Sequence, residues 1–214
     1  NTNASFAMKI LALEFSSQQR SVAIVDDSGV LSEITTDQLN TGPLVLIEQA
    51  LQQAQIGREE IQRLGIGIGP GSYTGIRSAI AVAQGWQLAR DTELCAVSSA
   101  ETLAATARGN DLRGETHFII DAQRHEYYHC TWQLYDQTQQ ETSPLSIISV
   151  TAAAELKAHG PDAAGFPSCE PLYPSATALA RLAMERSDYI QGCEIEPIYL
   201  RPTEFTKAPP SRQL

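Results

Sequence analysis

The beginning of the chain alternates between compact apolar runs and short polar turns. KILALEF occupies residues 9–15, SVAIVDD occupies residues 21–27, and VLSEITT follows at residues 30–36. The polar segment SSQQR separates the first two runs, and Asp27-Ser28-Gly29 is a turn signal before the third. Runs of this length, bounded by turn residues, predict two or three β-strands joined by tight turns.

Helical periodicity follows. Leu44, Ile47 and Leu51 recur on one face of the segment that Gly42-Pro43 opens, which predicts a first helix. The pattern then predicts a buried strand that enters a glycine loop, a second helix, a short strand and a third helix, at residues 63–71, 74–89, 94–99 and 100–107. Strands that alternate with helices are typical of an α/β fold.

A polar, glycine-bearing stretch, RGNDLRG, indicates a domain boundary. The strand-then-helix order begins again beyond it, so the second half is a reduced echo of the first. Its predicted strands are residues 117–122, 127–136 and 144–150, and its predicted helices are residues 151–159 and 174–186. The chain therefore divides into a leader or expression remnant, a first lobe, a second, reduced lobe and an extended tail, at residues 1–7, 8–108, 109–201 and 202–214.

The composition is that of an ordinary globular protein with an acidic surplus. Hydrophobic residues make up 43% of the chain and charged residues 19%. The 25 acidic residues outnumber the 15 basic ones, for a formal net charge of −10. A chain this acidic repels nucleic acid, so we expect no direct binding to RNA without a partner.

No segment has the pattern of a membrane span, a secretory signal or a disulfide framework. The four cysteines are Cys95, Cys130, Cys169 and Cys193. They form no C-x-x-C pair, which favours reduced thiols over a zinc ribbon. No apolar run approaches the roughly 20 residues that span a bilayer. The leading NTNASFA lacks the basic end and apolar core of a secretory signal, and Met8 is the expected start. We therefore expect a cytoplasmic protein without membrane association.

HEYYH, at residues 125–129, matches H-E-x-x-H, the signature of zinc proteases. The signature acts on a helix, where positions i and i+4 are about 6 Å apart along the axis. Here polar turn residues precede it and strand-forming aromatic residues follow it, which predicts a hairpin. On a strand the same spacing is about 13 Å, too far for two imidazoles to share one ion. We therefore predict that His125 and His129 do not share a zinc ion, and that the chain has no metal site.

The most distinctive stretch is GIGIGPGSYTGIRSAIAVAQG, at residues 65–85. A strand enters its glycine loop, and Ser72 or Thr74 is placed to cap the helix that follows. Backbone donors of such a loop, beside a helix N-terminus, could hold a phosphate group. The candidate phosphate loop consists of Gly69, Gly71, Ser72, Thr74 and Gly75. It matches neither the P-loop nor the dinucleotide fingerprint, so a purely structural role for the glycines remains the alternative.

The second helix carries few polar residues, and its alanines let another helix approach closely. One face covers the sheet, and a further apolar face indicates a partner, with burial inside the lobe as the alternative. The residues expected at this interface are Leu44, Ile47, Leu51, Ile76, Ala79, Ile80, Ala83 and Trp86. A charge at Ala79 or Ala83 is accordingly expected to block association while the lobe stays folded.

Several blocks occur in the order seen in the bacterial TsaB (YeaZ) family. They are ILALEFSSQQRSVAIV, GIGIGPGSYTGIRSAIAVAQGWQLA, AVSSAETLAA, IIDAQRHEYY and PIYLR. The chain resembles this family from Met8 to about Arg201, and the GPGSYTGIR block is highly specific. The resemblance implies an actin-like ATPase fold with two related lobes of the ribonuclease-H type. It also implies a scaffold and activator in the machinery that makes threonylcarbamoyladenosine in tRNA. Such a subunit pairs through its first-lobe helices with the catalytic TsaD subunit, which transfers the threonylcarbamoyl group.

The resemblance further implies a homodimer when the chain is alone, the ATPase TsaE as another partner, and contact with tRNA only through the complex. It implies no catalytic residue and no required cofactor in this chain, with ATP or ADP as a candidate ligand at a shared interface. Two departures favour a noncatalytic role: the first helix lacks the histidine metal ligands of TsaD, and no second phosphate loop is evident. A third, Glu14 in place of the usual aspartate, resembles the acidic position of TsaD and weakens a nucleotide site without excluding one. The alternatives are a nucleotide-hydrolysing or sugar-kinase-like enzyme of the same fold and, third, a metalloprotease, after the older glycoprotease label.

Overall fold

The computed structural model describes residues 7–200, which form two five-stranded sheets. The predicted leader and tail lie outside the described residues, apart from Ala7, and so does Arg201 of the PIYLR block. The strands of the first sheet are β1 (Lys9–Glu14), β2 (Arg20–Asp26), β3 (Gly29–Thr36), β4 (Ile61–Gly67) and β5 (Glu93–Val97). Their spatial order is β3-β2-β1-β4-β5.

The first sheet is mixed. Strand β1 pairs antiparallel with β2 and parallel with β4, which in turn pairs parallel with β5. Parallel neighbours need a crossover connection, which the helices supply. The helices of this half are α1 (Pro43–Ala54), α2 (Tyr73–Ala89) and α3 (Ser99–Gly109). The strands and helices predicted for the first half are thus confirmed.

Alternation along β1 divides the core between the two faces of the first sheet. Leu11 and Leu13 belong to a cluster that also contains buried residues of α1 and α2. Ile10 and Ala12 belong to the opposite cluster, formed with α5 (Ala176–Glu185). Helix α5 comes from the segment assigned to the second lobe, yet it packs against the first sheet.

The second sheet has the order β10-β9-β6-β7-β8. Its strands are β6 (Gly114–Asp121), β7 (Glu126–Leu134), β8 (Gln139–Ser149), β9 (Ala158–Gly160) and β10 (Glu170–Pro171). Helix α3 covers one face, and α4 (Val150–Ala154) packs against the other. The helix predicted for residues 151–159 is therefore too long. Its last residues pair with β6 instead, and a Cβ at Gly160 would lie 1.9 Å from the carbonyl oxygen of Ile119.

All four cysteines are free thiols; Cys95, Cys130 and Cys169 are buried, and Cys193 is exposed. Within residues 7–200, no helix combines the length and the apolar character that crossing a bilayer requires.

Candidate functional site

A cleft of about 500 Å³ lies between the two lobes, at the ends of β1 and β6. The glycine loop borders it on the first-lobe side, and the hairpin that follows β6 borders it on the other. Its lining residues are Ser16, Ser17, Gln18, Leu39, Gly71, Ser72, Tyr73, Thr74, Ile120, Asp121, Ala122, Gln123, Tyr128, Asp162 and Tyr199. Three residues of the candidate phosphate loop, Gly71, Ser72 and Thr74, therefore face this cleft.

The glycine loop packs directly against the end of β1. A Cβ at Gly71 would lie 2.1 Å from the carbonyl oxygen of Ser16, and one at Gly75 would lie 2.0 Å from that of Phe15. Gly71 also has a φ of +144°, which favours glycine. Ser72 caps α2 as predicted, because its Oγ accepts a hydrogen bond from the amide of Gly75 at 3.3 Å.

Three amides of the loop donate to acceptors within the protein. The N–H of Gly69 donates to Ser99 Oγ, that of Ser72 to the carbonyl of Ser16, and that of Gly75 to Ser72 Oγ. In this conformation those three donors are engaged. The close-packing role of the glycines is therefore evident in the geometry, and phosphate binding stays a prediction.

Tyr199 lines the cleft and belongs to the PIYLR segment. The N–H of Ile198 donates to the carbonyl of Ile68 at 2.9 Å, which attaches the PIYLR segment to the glycine loop. The ring of Tyr199 stacks on Tyr73 with centroids 5.8 Å apart, and the guanidinium of Arg77 lies 4.4 Å from the Tyr73 ring centre. The sequence indicated these residues only as parts of separate blocks.

Glu14 lies beneath the glycine loop, fully buried, and does not line the cleft. Its carboxyl group accepts hydrogen bonds from the amide of Ser16 at 2.8 Å and from the hydroxyl of Ser99 at 3.3 Å. A Cβ at Gly67 would lie 2.3 Å from its Oε2, so only glycine leaves room for it. Burial raises the pKa of Glu14 from its ordinary value of 4.5 to about 7, although these hydrogen bonds lower it in part.

This raised pKa predicts a pH dependence of stability that depends on Glu14. The unfolded chain releases the proton near pH 4.5 and the folded chain near pH 7, so the stabilisation is complete below 4.5 and lost as the pH rises to about 7. The loss amounts to about 3 kcal/mol. Because glutamine resembles the protonated carboxyl group, Glu14→Gln should retain this stabilisation. The difference in the free energy of unfolding between Glu14→Gln and the parent protein should therefore grow with pH. Urea unfolding of both proteins between pH 4.5 and 8 measures it.

Glu155→Gln is the matched control, since Glu155 is exposed on the second lobe. It should leave the pH profile of unfolding unchanged. Parallel profiles for Glu14→Gln and the parent protein would show that Glu14 is already ionised in the folded state.

The HEYYH segment forms a hairpin, as predicted, and is not helical. Gln123, Arg124 and His125 lie in a turn with φ of +63°, +59° and +61°, and His129 lies within β7. The helix that the zinc-protease signature requires is absent from this segment. Burial, together with the neighbouring His117, lowers the pKa of His129.

Six of the eight residues expected at a partner interface lie in the core of the first lobe. Ile47, Leu51, Ile76, Ala79, Ile80 and Ala83 all belong to the cluster between the sheet and the helices α1 and α2. The prediction that they face a partner is wrong, because the sheet itself covers them. Leu44 remains exposed, and Trp86 is half-buried.

The outer surface of the same two helices carries a different apolar set. A groove of about 430 Å³ is lined by Leu44, Arg58, Ala81, Val82, Gly85, Trp86, Ala89 and Arg90. Leu88, on the same helix as Trp86, is 90% exposed, and a Cβ at Gly85 would have no neighbour within 4 Å. We call this surface the α1–α2 groove. Leu44 and Trp86 were among the predicted interface residues, whereas Ala81, Val82, Gly85 and Ala89 were not, because α2 is apolar on nearly every side and periodicity does not distinguish its inner face.

A sequence model of the family described as TsaD, tRNA N6-adenosine threonylcarbamoyltransferase, matches residues 9–184. Among individual proteins, a tRNA threonylcarbamoyladenosine biosynthesis protein TsaB of Bacillus subtilis is 28% identical over 64% of this chain and 60% of its own. The protein of the same description from Escherichia coli is 30% identical over 59% of this chain and 55% of its own. The chain thus spans about three fifths or less of the length of these curated relatives.

Two solved structures from Pseudomonas aeruginosa have the same fold. One, described as an uncharacterized protein with similarity to the peptidase YEAZ, has a TM-score of 0.79 at 24% identity and covers 91% of this chain and 100% of its own. The other, described as YeaZ, has a TM-score of 0.77 at 24% identity, covering 90% of this chain and 100% of its own. The two-lobed arrangement is the actin-like, ribonuclease-H-like fold that the resemblance implied.

Proposed function

Because this chain belongs to the TsaD family of tRNA N6-adenosine threonylcarbamoyltransferases and, within it, to the TsaB (YeaZ) group, we propose that it is a noncatalytic scaffold and activator subunit. It supports the transfer of a threonylcarbamoyl group to the adenosine next to the anticodon of tRNA. The transfer itself takes place on a TsaD-like catalytic subunit, with which this chain pairs. This modification of tRNA takes place in the cytoplasm.

The α1–α2 groove is the observation that carries this proposal. Leu44, which lines the groove, is 59% exposed, and two apolar side chains of the same helices outside its lining, Val45 on α1 and Leu88 on α2, are 52% and 90% exposed. Apolar side chains concentrated on one surface favour burial against a partner. Small residues at Ala81 and Gly85 let the backbone of a partner helix approach α2 closely.

The same surface suits two kinds of partner. A TsaD-like subunit of the same fold has helices in the corresponding positions of its first lobe, so two pairs of helices meet. When the chain is alone, a second copy can occupy the groove through a twofold axis, which gives a homodimer. We propose a TsaE-like ATPase as the further partner.

The acidic surface and the packing of the glycine loop support the noncatalytic assignment. A formal net charge of −10 disfavours direct contact with tRNA, which therefore reaches the complex through the other subunit. The amides of Gly69, Ser72 and Gly75 are engaged within the protein, so these three donors are not available to a phosphate group in the present conformation. We place any ATP or ADP at the interface shared with the partner.

Ala81→Glu tests the groove as the partner surface. Ala81 is exposed in the free chain, so the variant should fold, but association would remove water from its carboxylate and place a longer side chain where the partner helix must approach closely. Arg58 and Arg90, which also line the groove, should offset only part of this cost. We expect at least about a hundredfold weaker association with a TsaD-like subunit, and the loss of tRNA modification in the reconstituted system. Light scattering after size-exclusion chromatography and modification of tRNA by the purified components measure the two effects.

Ala152→Glu is the control, because it introduces the same charge at an exposed helical position of the second lobe. It should associate and support modification like the parent chain. If folded Ala81→Glu associates like the parent chain, the partner surface lies elsewhere than the α1–α2 groove. Nucleotide hydrolysis or tRNA modification by this chain alone would overturn the noncatalytic assignment.

A further inference from the structure

Two imidazole rings meet on one face of the second sheet. Nδ1 of His117, on β6, lies 3.1 Å from Nε2 of His129, on β7. The rings are stacked, with centroids 5.3 Å apart and 24° between their planes. Strand register brings them together: His117 is opposite Thr131 and His129 is opposite Ile119, so the two histidines are diagonal neighbours on the same face. Both side chains are half-buried and therefore reachable from solvent.

Although the sequence pattern predicts no metal site, we infer that this pair binds a divalent transition-metal ion of the zinc and copper type, through Nδ1 of His117 and Nε2 of His129. Imidazole nitrogen is a preferred ligand of such ions. For bonds of about 2.0–2.1 Å, two nitrogens 3.1 Å apart give an N–metal–N angle of about 100°. That angle lies between the octahedral and tetrahedral values, so the separation of the two nitrogens suits one shared ion.

Two neighbouring side chains lie close to the His117 ring. Oε1 of Glu115 lies 3.9 Å from Nε2 of His117, on the far side of the ring from His129. At this distance the carboxylate makes no hydrogen bond to the ring, but its negative charge favours a cation beside His117. The hydroxyl of Thr131, 3.1 Å from Nδ1 of this ring, can donate a hydrogen bond to it when no ion is bound.

The coordination sphere must be completed by water. Within residues 7–200, no group of three or more His, Cys, Asp and Glu side chains is placed to hold a metal. Cys130 follows His129 along β7, but its thiol lies in the core cluster on the opposite face of the sheet. A site with two protein ligands exchanges its ion with solvent and keeps open positions, unlike a closed structural zinc site.

The bound ion bridges β6 and β7, so it stabilises the folded chain by mass action. The test is thermal unfolding of the full chain, without an affinity tag, in ZnCl₂ at increasing concentrations and in a buffer that does not chelate metals. The melting temperature of the parent chain should rise with ZnCl₂. His117→Gln and His129→Gln should each weaken zinc binding by at least about tenfold, measured by calorimetric titration.

The two other histidines supply matched controls, since His125 lies in the turn and His159 lies on β9. His125→Gln and His159→Gln should bind zinc like the parent chain. Equal zinc binding by His117→Gln, His129→Gln and the parent would overturn the assignment. So would the absence of stoichiometric binding to the parent.

A second measurement does not depend on variants that fold. Electron paramagnetic resonance of the parent chain with one equivalent of CuCl₂ should resolve coupling to two imidazole nitrogens. Coupling to fewer than two would mean that the imidazoles form only a hydrogen-bonded pair, and the inference would fail.

Discussion

Ala79→Glu should unfold the first lobe, whereas Ala81→Glu, two residues further along the same helix, should leave it folded. Ala79 is fully buried in the cluster between α2 and the sheet. A glutamate there must either leave its carboxylate unpaired in an apolar core or displace the helix. We expect a loss on the order of 5 kcal/mol in the free energy of unfolding, a large part of what a domain of this size has. Ala81 points outward into the α1–α2 groove, where water solvates the new charge.

Circular dichroism and urea unfolding of the two variants measure this difference. The matched pair cancels the effects of helix propensity and of net charge, because the substitution and the helix are the same. Similar midpoints of unfolding would mean that α2 is rotated about its axis relative to the structure described above. In that case the sequence-based prediction, that Ala79→Glu blocks association while the lobe stays folded, would be supported.

The hydrophobic pattern of the sequence predicts some features of this fold and leaves others undetermined. Compact apolar runs and turn residues predicted strands β1 to β8 and the hairpin around HEYYH, because these signals are local, whereas the short strands β9 and β10 were not predicted. Which side of α2 faces the sheet was not predictable from the same pattern. Ile76, Ala79 and Ala83 are core residues, Ala81 and Val82 line the groove, and all five are apolar. Only the packing of the sheet distinguishes them.

Contacts between distant segments of the chain could not be predicted either, because local patterns do not reveal them. Glu14 is bonded to Ser99, and His117 faces His129 across a strand pair, yet neither partner is implied by local spacing. His129 drew attention only through its place in HEYYH. Register between β6 and β7, fixed by the whole hairpin, determines its actual neighbour.

The position of helix α5 was likewise not predictable from the sequence. It follows the second sheet in the chain but covers the first, so the order of elements does not reveal its place. The buried guanidinium of Arg63 on β4 attaches it there. Nη1 donates to the carbonyl oxygens of Ala183 at 2.7 Å and Arg186 at 3.2 Å. These carbonyls lie at the C-terminal end of α5, whose last turn carries no basic residue of its own.

The rest of the guanidinium is also occupied. Nε and Nη2 donate to Oε2 of Glu93 at 3.0 and 2.9 Å, and the ring centre of Tyr189 lies 4.5 Å from Cζ. Nη2 also donates to the hydroxyl of Tyr189. Only a planar fork of donors can reach all of these groups together. Arg63 therefore links β4 to the C-terminal end of α5 and to the segment beyond it.

Arg63→Ala should consequently lower the free energy of unfolding by about 3 kcal/mol, since it leaves the buried carbonyls of α5 without a donor. Arg63→Lys should recover only part of this loss, because an ammonium group retains the charge and not the fork. Urea unfolding measures both. Arg58→Ala is the control. Arg58 also forms an ion pair with a glutamate, Glu48, at 2.7 Å, but both side chains are about half exposed. The control should lose less than about 1 kcal/mol. An equal loss for Arg63→Ala and Arg58→Ala would mean that α5 is held by its apolar face alone.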